Sequence, residues 1–420
     1  MRVEPSVLFS HPAMNAYTRS MAQAMNDAGL LLGMITTLGW SMDDLPAWLP
    51  AGIRRQLGRR ALAASVGARL QRHPAREVLR LAASKLGLSS LARHEMGPLS
   101  VDAVYQSLDR FAARQLEKQF RDGGVKAVYA GEDGALETFQ VAKKLGLQRF
   151  YDLPIGYWKE AQQVYQEERE RAPEFASTLT GLNDSAAKLD RKEQEQELAE
   201  VIFACSPFVK ASLVKHGVAE SRIEVVPYGS PETTEPPRTW TKADFVRPLR
   251  VLFAGSLGQR KGIGYLLHAI QTLARQDVEL VLMGSFSGDA EPVLRYHDWF
   301  RLESPRPHAD VLRLMRSCDV LVLPSLFEGL AMVVPEAMAC GLPVIVTPST
   351  GASFLVHDHE EGFVVRERSV DDLAEKIAWF ADNRSDLPRM GEVAWRSAGR
   401  HSWAAHREQF VAALARRLIG

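Results

Sequence analysis

The sequence predicts an α/β protein of two doubly wound, Rossmann-like domains that face each other across a cleft. Three observations carry this prediction. Strands and helices alternate from Ser6 onward, the alternation restarts at Leu249 after a proline-rich stretch, and Val320 to Thr347 has the pattern of a buried strand, a helix and a second buried strand. Parallel strands connected by helices form sheets that are covered on both faces. A length of 420 residues suits two domains, or three.

The composition narrows the class of function. The 51 basic and 51 acidic residues cancel, so net charge does not favour a nucleic-acid partner. Cys205, Cys318 and Cys340 are scattered and lack a CxxC or histidine pairing, which argues against a disulfide framework or a zinc site. No apolar run reaches the roughly 18 residues that span a bilayer, and Met1 to Pro12 lacks the apolar region of a signal peptide. We therefore expect a cytoplasmic protein.

The chain opens with a strand, a helix and a second strand. Ser6 to Ser10 is the first strand, a helix closes at Gly29, and Leu30 to Thr37 is the second strand. His11 follows the carboxyl end of the first strand, where ligands bind in open α/β sheets. It is a candidate for contact with the acceptor side of a substrate, or a loop histidine without that role.

A basic segment interrupts this alternation. Nine arginines and one lysine lie between Arg54 and Arg93, against the single acid Glu77. Leucines and valines recur among them at roughly helical spacing, which predicts a helical insertion near residues 45–97. Basic amphipathic helices suit an anionic membrane surface or a phosphorylated substrate. The alternative is a solvated helical insertion that balances acidic stretches elsewhere.

Two further strands end in carboxylates. Glu132 and Asp133 follow the strand from Val125 to Ala130, and Asp152 ends the strand from Gln148 to Leu153. Aromatic residues come directly afterwards, and carboxylates beside aromatic faces suit a sugar acceptor. Each carboxylate is also explained as a helix cap.

The rest of the first half leads to a linker. Lys159 to Glu200 is predicted to form one long helix, or two helices broken near Pro173 and Gly181. Four prolines and few aliphatic residues between Tyr228 and Pro248 mark a domain boundary. The predicted limits are 1–230 for the first domain, 231–248 for the linker and 249–399 for the second domain.

The loop from Gly255 to Gly264 suits phosphate. It has the sequence GSLGQRKGIG, lies between a predicted strand and a predicted helix, and carries Arg260 and Lys261. Glycine-rich loops that open a helix present backbone N–H groups and a positive dipole to anions. The GxxxxGK[ST] spacing is missing, so a nucleoside triphosphatase is disfavoured. The alternative is a surface loop with two solvated charges.

The unit from Val320 to Thr347 places Glu328 in a loop and Glu336 in the first turn of a helix. Free N–H groups near Ala331 to Val334 are expected to receive phosphate oxygens. Carboxylates repel phosphate and accept hydrogen bonds from hydroxyl groups. A ligand with phosphate and polyol parts is a sugar nucleotide. Alternatively, Glu336 merely favours the positive helix end and Glu328 is a solvated charge.

Four stretches in this order resemble the retaining glycosyltransferases of family 4, the glycosyl transferases group 1, which have the GT-B fold. They are SPFVKASLVKHGVAESRIEVVPYGSP, the loop that ends in RKG, EGLAMVVPEAMACGLPVIVT with two glutamates eight positions apart, and DHEEGFVV. The resemblance covers nearly all of the second half. The first half is similar only in its strand–helix pattern.

The resemblance implies a donor site for a UDP- or GDP-linked sugar. Lys261 and Arg260 hold the donor diphosphate, Glu328 binds hydroxyls of the donor sugar, and Glu336 accepts from the ribose. The backbone against sugar and phosphate is that of Gly255, Ser256, Gly329, Leu330 and Ala331. The chain departs from the family where Ser256 replaces an arginine, a charge that Arg260 is expected to supply.

On the acceptor side the family's histidine is missing. Asp152 stands at about its position and is expected to face the reacting carbon, with His11 and Asp133 nearby. The resemblance further implies retaining, hexosyltransferase-type transfer to a glycan, lipid or small-molecule hydroxyl, without an obligatory cofactor or metal. Terminal residues 400–420 are expected to form a helix that packs back on the first domain. The alternatives are a sugar-nucleotide epimerase or a non-catalytic partner that binds nucleotide sugars. A peripheral membrane contact through 54–93 stays open.

Overall fold

The computed structural model describes residues 6–44, 51–58, 60–182, 184–232 and 235–419. The predicted start of the basic insertion at 45–50, together with Arg59, lies outside these residues. The strands of the first half are β1 (Val7–Ser10), β2 (Leu31–Thr36), β3 (Trp40–Ser41), β4 (Ala61–Leu62), β5 (Leu70–Arg72), β6 (Ala127–Gly131), β7 (Gln148–Leu153), β8 (Val201–Ala204) and β9 (Ile223–Val225). Those of the second half are β10 (Leu249–Ala254), β11 (Val278–Met283), β12 (Arg301–Glu303), β13 (Val320–Leu323), β14 (Val344–Val346) and β15 (Gly362–Val364).

Two parallel sheets organise the fold. The first has the order β5-β2-β1-β6-β7-β8-β9 and the second β12-β11-β10-β13-β14-β15, while β3 and β4 form a separate pair. In both sheets the first strand lies at the centre and the order reverses beside it, between β1 and β6 and between β10 and β13. This is the doubly wound order, and it confirms the predicted fold class. Ligands bind beyond the carboxyl ends of the strands at such a reversal.

The helices connect these strands and cover both sheets. They are α1 (Ala16–Asp27), α2 (Ala51–Gly58), α3 (Ala64–Gly67), α4 (Ala75–Lys85), α5 (Val101–Asp122), α6 (Leu136–Lys144), α7 (Trp158–Arg171), α8 (Ala186–Leu198), α9 (Pro207–Lys215), α10 (Lys242–Val246), α11 (Ile263–Leu273), α12 (Glu291–Leu294), α13 (His308–Ser317), α14 (Val333–Ala339), α15 (Val370–Asp382), α16 (Leu387–Arg400) and α17 (Trp403–Ile419). Of the described helices, none is long and apolar enough to cross a bilayer.

The basic segment corrects one prediction. Instead of a purely helical insertion, it contains β4, α3 and the edge strand β5, whose residues Leu70 to Arg72 pair with Met34 to Thr36 of β2. Helical spacing of apolar residues did not reveal this strand, because pairing with a neighbouring strand decides the conformation of so short a segment. The segment therefore belongs partly to the first sheet.

The terminal helix α17 packs on the first sheet. Phe410 is buried among the core residues of that sheet, and its ring meets that of Tyr129 edge-on at 5.5 Å. His406 Nδ1 lies 3.0 Å from the carbonyl oxygen of Pro227. The domain limits 1–230 and 249–399 stay a prediction, and each sheet lies within one of them.

A segment of the first half, α7 with the turns that follow it, docks on the second sheet. As predicted, the helix breaks before Pro173. Phe175 is fully buried in the core of the second domain. Glu168, also fully buried, accepts hydrogen bonds from Gln259 Nε2 at 2.7 Å, Tyr265 Oη at 2.6 Å and Arg368 Nε at 2.9 Å. One carboxylate of the first half thus joins three elements of the second.

We expect Glu168→Ala to lower the free energy of unfolding by about 3–5 kcal/mol, because it removes the acceptor of the buried Gln259 and of the partly buried Tyr265 and Arg368, the last of which is charged. Urea unfolding measures this. The neighbouring Glu167→Ala is the matched control, since Glu167 also pairs with Arg368 but is 40% exposed. Its expected cost is at most about 1 kcal/mol. Equal losses in the two variants would contradict this account of Glu168.

Candidate active site in the cleft between the two sheets

A cleft of about 1360 Å³ separates the two domains. One wall comes from the first domain and includes the loop after β1, the start of α1, and residues of α4 and α5. The other comes from the loops before α13 and α14. The ionisable residues that line it are Arg19, Arg60, Glu77, Arg80, Arg306, His308 and Glu336, and the aromatic ones are Tyr17, Tyr105, Tyr228 and Trp403.

Beyond β10 and β13, a cluster of three charges marks the reversal of the second sheet. Lys261 Nζ lies 2.6 Å from Glu328 Oε1, and Arg260 Nη1 lies 2.8 Å from Glu328 Oε2. Arg260 also donates to the carbonyl oxygen of Phe327 at 3.0 Å. Lys261 and Glu328 are buried. Two loops that are 67 residues apart in sequence thus meet through one carboxylate.

Close backbone approaches build the glycine-rich loop. A Cβ on Gly284 would lie 1.6 Å from the carbonyl oxygen of Gly255, and one on Gly262 would lie 2.0 Å from that of Pro324. Both glycines have positive φ, 151° and 71°. Larger residues do not fit there. The close approach of these loops is what brings the Lys261 side chain over Gly255, whose added Cβ would lie 3.1 Å from Lys261 Cε.

The electrostatics of this cluster follow from burial and pairing. Burial favours the neutral acid, but Lys261 and Arg260 outweigh it and hold the pKa of Glu328 below its usual range. Burial lowers the pKa of Lys261 more than Glu328 raises it. The pKa of Arg260 is raised, since Glu328 outweighs its burial. Two cations against one carboxylate leave an excess positive charge in a water-poor site.

The loop of Glu328 also rests on the first domain. Ser206 Oγ donates to the carbonyl oxygen of Gly329 at 2.6 Å, and the N–H of Gly156 donates to that of Glu328 at 3.2 Å. A Cβ on Gly329 would lie 1.9 Å from the carbonyl oxygen of Pro154, so only glycine permits this approach. The carbonyl of Gly329 is therefore committed to the first domain.

Glu336 lies on the cleft wall and pairs with a residue that the sequence did not indicate. Glu336 Oε1 is 3.0 Å from His308 Nε2. The expectation of free N–H groups from Ala331 to Val334 is wrong for Ala331, which donates to the carbonyl oxygen of Thr350, and for Val334, which donates to that of Ala331. For Met332 and Val333 it stays a prediction. Leu330 lines the cleft.

His11 is buried behind the cleft wall. Its Nε2 lies 3.2 Å from the hydroxyl oxygen of Tyr17, which itself lines the cleft. Its Nδ1 lies 2.8 Å from the carbonyl oxygen of Ala13. Burial lowers the pKa of His11 to about 4, so the ring is neutral at pH 7. In this arrangement His11 positions Tyr17.

Asp152 is likewise placed away from the cleft. It is 3% exposed, and its Oδ1 accepts a hydrogen bond from Tyr129 at 3.1 Å. The internal cavity beside it measures about 10 Å³ and is bounded by Tyr228 and His406, which is too small for a sugar. Burial raises the pKa of Asp152 to about 7. Its assignment as the group that faces the reacting carbon stays a prediction without a path to the cleft.

Asp133 lies elsewhere again. Lys192 Nζ is 3.0 Å from Glu132 Oε1 and 3.5 Å from Asp133 Oδ2, and Lys188 Nζ is 3.9 Å from Asp133 Oδ2. Both lysines come from α8.

A Cβ added to Gly131 would lie 3.1 Å from His11 Cδ2, and Gly131 pairs with Asp152 in the sheet, so His11 and Asp152 lie near each other inside the first domain. The Asp133 carboxylate faces the lysines of α8 instead, and none of the three residues lines the cleft.

The sequence did not indicate most of the residues that line the first-domain wall of the cleft. Tyr17, Tyr228 and Trp403 line the cleft, as do Arg60 and Arg80 of the basic segment. The only available signal was the excess of arginine in that segment, which did not tell which arginines face a ligand.

The second half of the chain is similar in sequence to known proteins. Residues 248–383 match the family model described as glycosyl transferases group 1. A relative is the D-inositol 3-phosphate glycosyltransferase of Corynebacterium aurimucosum, 27% identical over 249 residues, which are 53% of this chain and 59% of the relative. The chain thus spans between half and three fifths of the length of the first relatives it matches.

Solved structures resemble the whole chain. Sucrose-phosphate synthase from Thermosynechococcus elongatus superposes with a TM-score of 0.65 at 18% identity and covers 99% of both chains. HepE of Anabaena in complex with UDP-glucose gives a TM-score of 0.60 at 15% identity, covering 98% of this chain and 99% of HepE. At such identity the likeness shows the fold alone.

The placement of Asp152 has a consequence for stability. Its pKa is about 7 in the fold and near 3.8 when exposed, so its contribution is fully present below pH 3.8 and is lost as the pH rises through 7. Asp152→Asn stays neutral and keeps an acceptor for Tyr129. We expect the free energy of unfolding of Asp152→Asn to rise, relative to that of the wild type, by roughly 3–4 kcal/mol as the pH goes from 4 to 8.

Urea unfolding at pH 4 and pH 8 checks this difference. Asp27→Asn, at the exposed end of α1, is the control and is expected to change stability by less than about 0.5 kcal/mol at either pH. If the stability difference between Asp152→Asn and the wild type were the same at both pH values, the pKa of Asp152 would not be raised in the fold.

Proposed function

We propose that the protein transfers a sugar from a nucleotide-sugar donor to an acceptor hydroxyl, because residues 248–383 match the model of the glycosyl transferases group 1 and the whole chain has the GT-B fold. The observation that carries this proposal is the cluster of Lys261, Arg260 and Glu328 at the reversal of the second sheet, in which Lys261 and Glu328 are buried and Arg260 is partly exposed. It joins cations for a diphosphate to a carboxylate for hydroxyl groups.

The donor would approach this cluster from the cleft. Lys261 and Arg260 carry one positive charge more than Glu328 neutralises, so a diphosphate finds a net cationic and largely desolvated partner. On binding, Lys261 and Arg260 would donate hydrogen bonds to phosphate oxygens. Glu328 would accept hydrogen bonds from hydroxyl groups of the sugar. Stabilising charge on the departing nucleotide is then the part of Lys261 and Arg260 in catalysis.

The nucleoside would lie along the same wall toward Glu336. Its carboxylate is on the cleft surface, and His308 fixes its orientation through Oε1. The other oxygen accepts ribose hydroxyls. HepE, a neighbour in structure, is seen with UDP-glucose, which supports a UDP-linked donor, and a GDP-linked donor is the alternative.

The proposed chemistry is transfer with retention and without an obligatory metal, in which the acceptor hydroxyl attacks on the face that the nucleotide leaves. That route needs no enzymic nucleophile. It agrees with a cleft whose described acceptor wall brings neither Asp152 nor His11 to the surface. The same burial favours one alternative, a non-catalytic partner that binds nucleotide sugars. Hydrolysis of the donor by the purified chain would exclude it.

Nucleotide binding is the direct test. We expect UDP or GDP to bind, and Lys261→Met to weaken binding by about 10- to 100-fold, because one charge-assisted hydrogen bond contributes about 1.5–3 kcal/mol. Glu336→Gln is expected to weaken it by about tenfold through the ribose. Calorimetric titration with UDP, GDP and ADP measures the affinities of the wild type and of both variants.

Lys210→Met serves as the control, since Lys210 makes a surface ion pair with the exposed Glu220. It is expected to leave nucleotide binding unchanged. If the wild type binds none of the three nucleotides, the donor-site assignment fails.

A peripheral contact with an anionic membrane is the second part of the proposal. Large apolar side chains are exposed on α4 and just after it, with basic residues between them: Val78, Leu79, Leu86, Leu88, Leu91 and Met96. Exposed apolar residues flanked by arginine and lysine suit the interface of a membrane with anionic lipids.

We expect the wild type to sediment with vesicles that contain anionic phospholipid at low salt, and less so at high salt. Leu79→Asp combined with Leu86→Asp should leave the protein in the supernatant. Val214→Asp, an exposed apolar site on α9, is the control and should sediment as the wild type does. A wild type that stays in the supernatant at low salt would rule out this contact.

A further inference from the structure

The first-domain wall of the cleft carries a cluster of arginines that the donor site does not use. Arg60 and Arg80 line the cleft together with Arg19 at the start of α1. They belong to a different domain from Lys261 and Arg260, which are assigned to the donor diphosphate. Their charge therefore has to serve another ligand or a structural pair.

Glu77 explains only part of this charge. It accepts from Arg80 Nε at 2.7 Å and Nη2 at 2.9 Å, and lies 3.7 Å from Arg60 Nη2. A bidentate pair fixes the guanidinium plane of Arg80, and Nη1 takes no part in it. One carboxylate stands against the two arginines of the basic segment, so this pair alone leaves an excess positive charge.

The three side chains differ in their exposure to solvent. The Glu77 side chain is 10% exposed, while those of Arg80 and Arg60 are 25% and 36% exposed. All three side chains line the cleft, but Glu77 is the least exposed of them and orients the arginines, whose guanidinium groups are more accessible to a ligand. Guanidinium groups held in this way match the oxygens of phosphate.

We infer that this cluster is an anion subsite of the acceptor, and that the acceptor carries a phosphate group close to the hydroxyl that receives the sugar. The inference rests on the proposed function, because it takes the opposite wall to hold the donor. Arg80 and Arg60 bind the phosphate and thereby select phosphorylated acceptors over neutral ones.

The same phosphate chemistry has two sources. The phosphate belongs either to a free sugar or polyol phosphate or to a lipid-linked sugar phosphate. The cleft wall is compatible with both sources. Arg80 of α4 lines the cleft, where either phosphate would bind, and α4 also carries exposed apolar residues such as Leu79, which suit a lipid.

The first experiment needs no knowledge of the acceptor. The protein is saturated with the nucleoside diphosphate that binds it, so that the donor-phosphate site is filled, and is then titrated with inorganic phosphate. We expect phosphate to bind, and Arg80→Gln and Arg60→Gln each to weaken it by about tenfold. Arg76→Gln, on the same helix but bonded to the carbonyl oxygen of Pro98, is the control and is expected to bind phosphate as the wild type does.

The second experiment compares turnover. With a nucleotide sugar as donor, we expect kcat/KM to be at least about tenfold higher for D-inositol 3-phosphate and glucose 6-phosphate, or for a polyprenyl-linked sugar phosphate, than for inositol and glucose. Arg80→Gln should raise the KM for the phosphorylated acceptor, whereas the control Arg76→Gln should leave both this KM and donor hydrolysis unchanged. Preference for the soluble or the lipid-linked compound identifies the source of the phosphate.

The failures are distinguishable. If no nucleoside diphosphate binds, the proposed function fails and this inference fails with it. If a nucleotide binds but phosphate does not, or if phosphate binds equally to the wild type, Arg80→Gln and Arg60→Gln, this inference alone is overturned. Because the two arginines lie in different parts of the segment, loss of folding in one variant leaves the other to decide.

Discussion

The carboxylate of Glu328 is the group on which the two halves of the site depend. A buried carboxylate needs cationic partners, and Lys261 and Arg260 supply two within 2.8 Å. The next residue, Gly329, packs its backbone against Pro154 of the first domain at a distance that only glycine tolerates. The charge cluster of the proposed donor site and the contact between the domains are therefore built on adjacent residues of one loop.

The docked segment after α7 supports the other loop of the cluster in the same way. Glu168 holds the side chain of Gln259, which directly precedes Arg260 and Lys261, and Thr178 Oγ1 accepts from the N–H of Gln259 at 2.9 Å. Both cationic residues thus follow a residue that the first half of the chain fixes. A change in domain orientation would disturb both loops together, which links closure of the cleft to assembly of the donor site.

The sequence predicted what depends on local pattern. The buried run from Val320, the glycines around Lys261 and the break at Pro173 specify strands, a loop and a helix end without help from distant residues. What it did not predict depends on partners distant in sequence. Leu70 to Arg72 became a strand because β2 offers an edge, and Asp152 turned inward because Tyr129 and α17 enclose it. A carboxylate at a strand end has the same sequence signature whether it faces a cleft or a core.

The two walls of the cleft therefore differ in how much their sequence reveals. The proposed donor site uses a tight loop and a helix start, so glycines and spacing in the sequence indicate Lys261, Glu328 and Glu336. The proposed acceptor site uses side chains that converge from α1, α4 and α5, and such convergence produces no fixed spacing in the sequence. The net charge of zero for the whole chain did not indicate an anionic ligand either, because the acids that balance the arginine-rich segment lie elsewhere along the chain. The charge on the cleft wall depends on which arginines line it and which acid pairs with them. It therefore carries information about the ligand that the net charge of the whole chain does not.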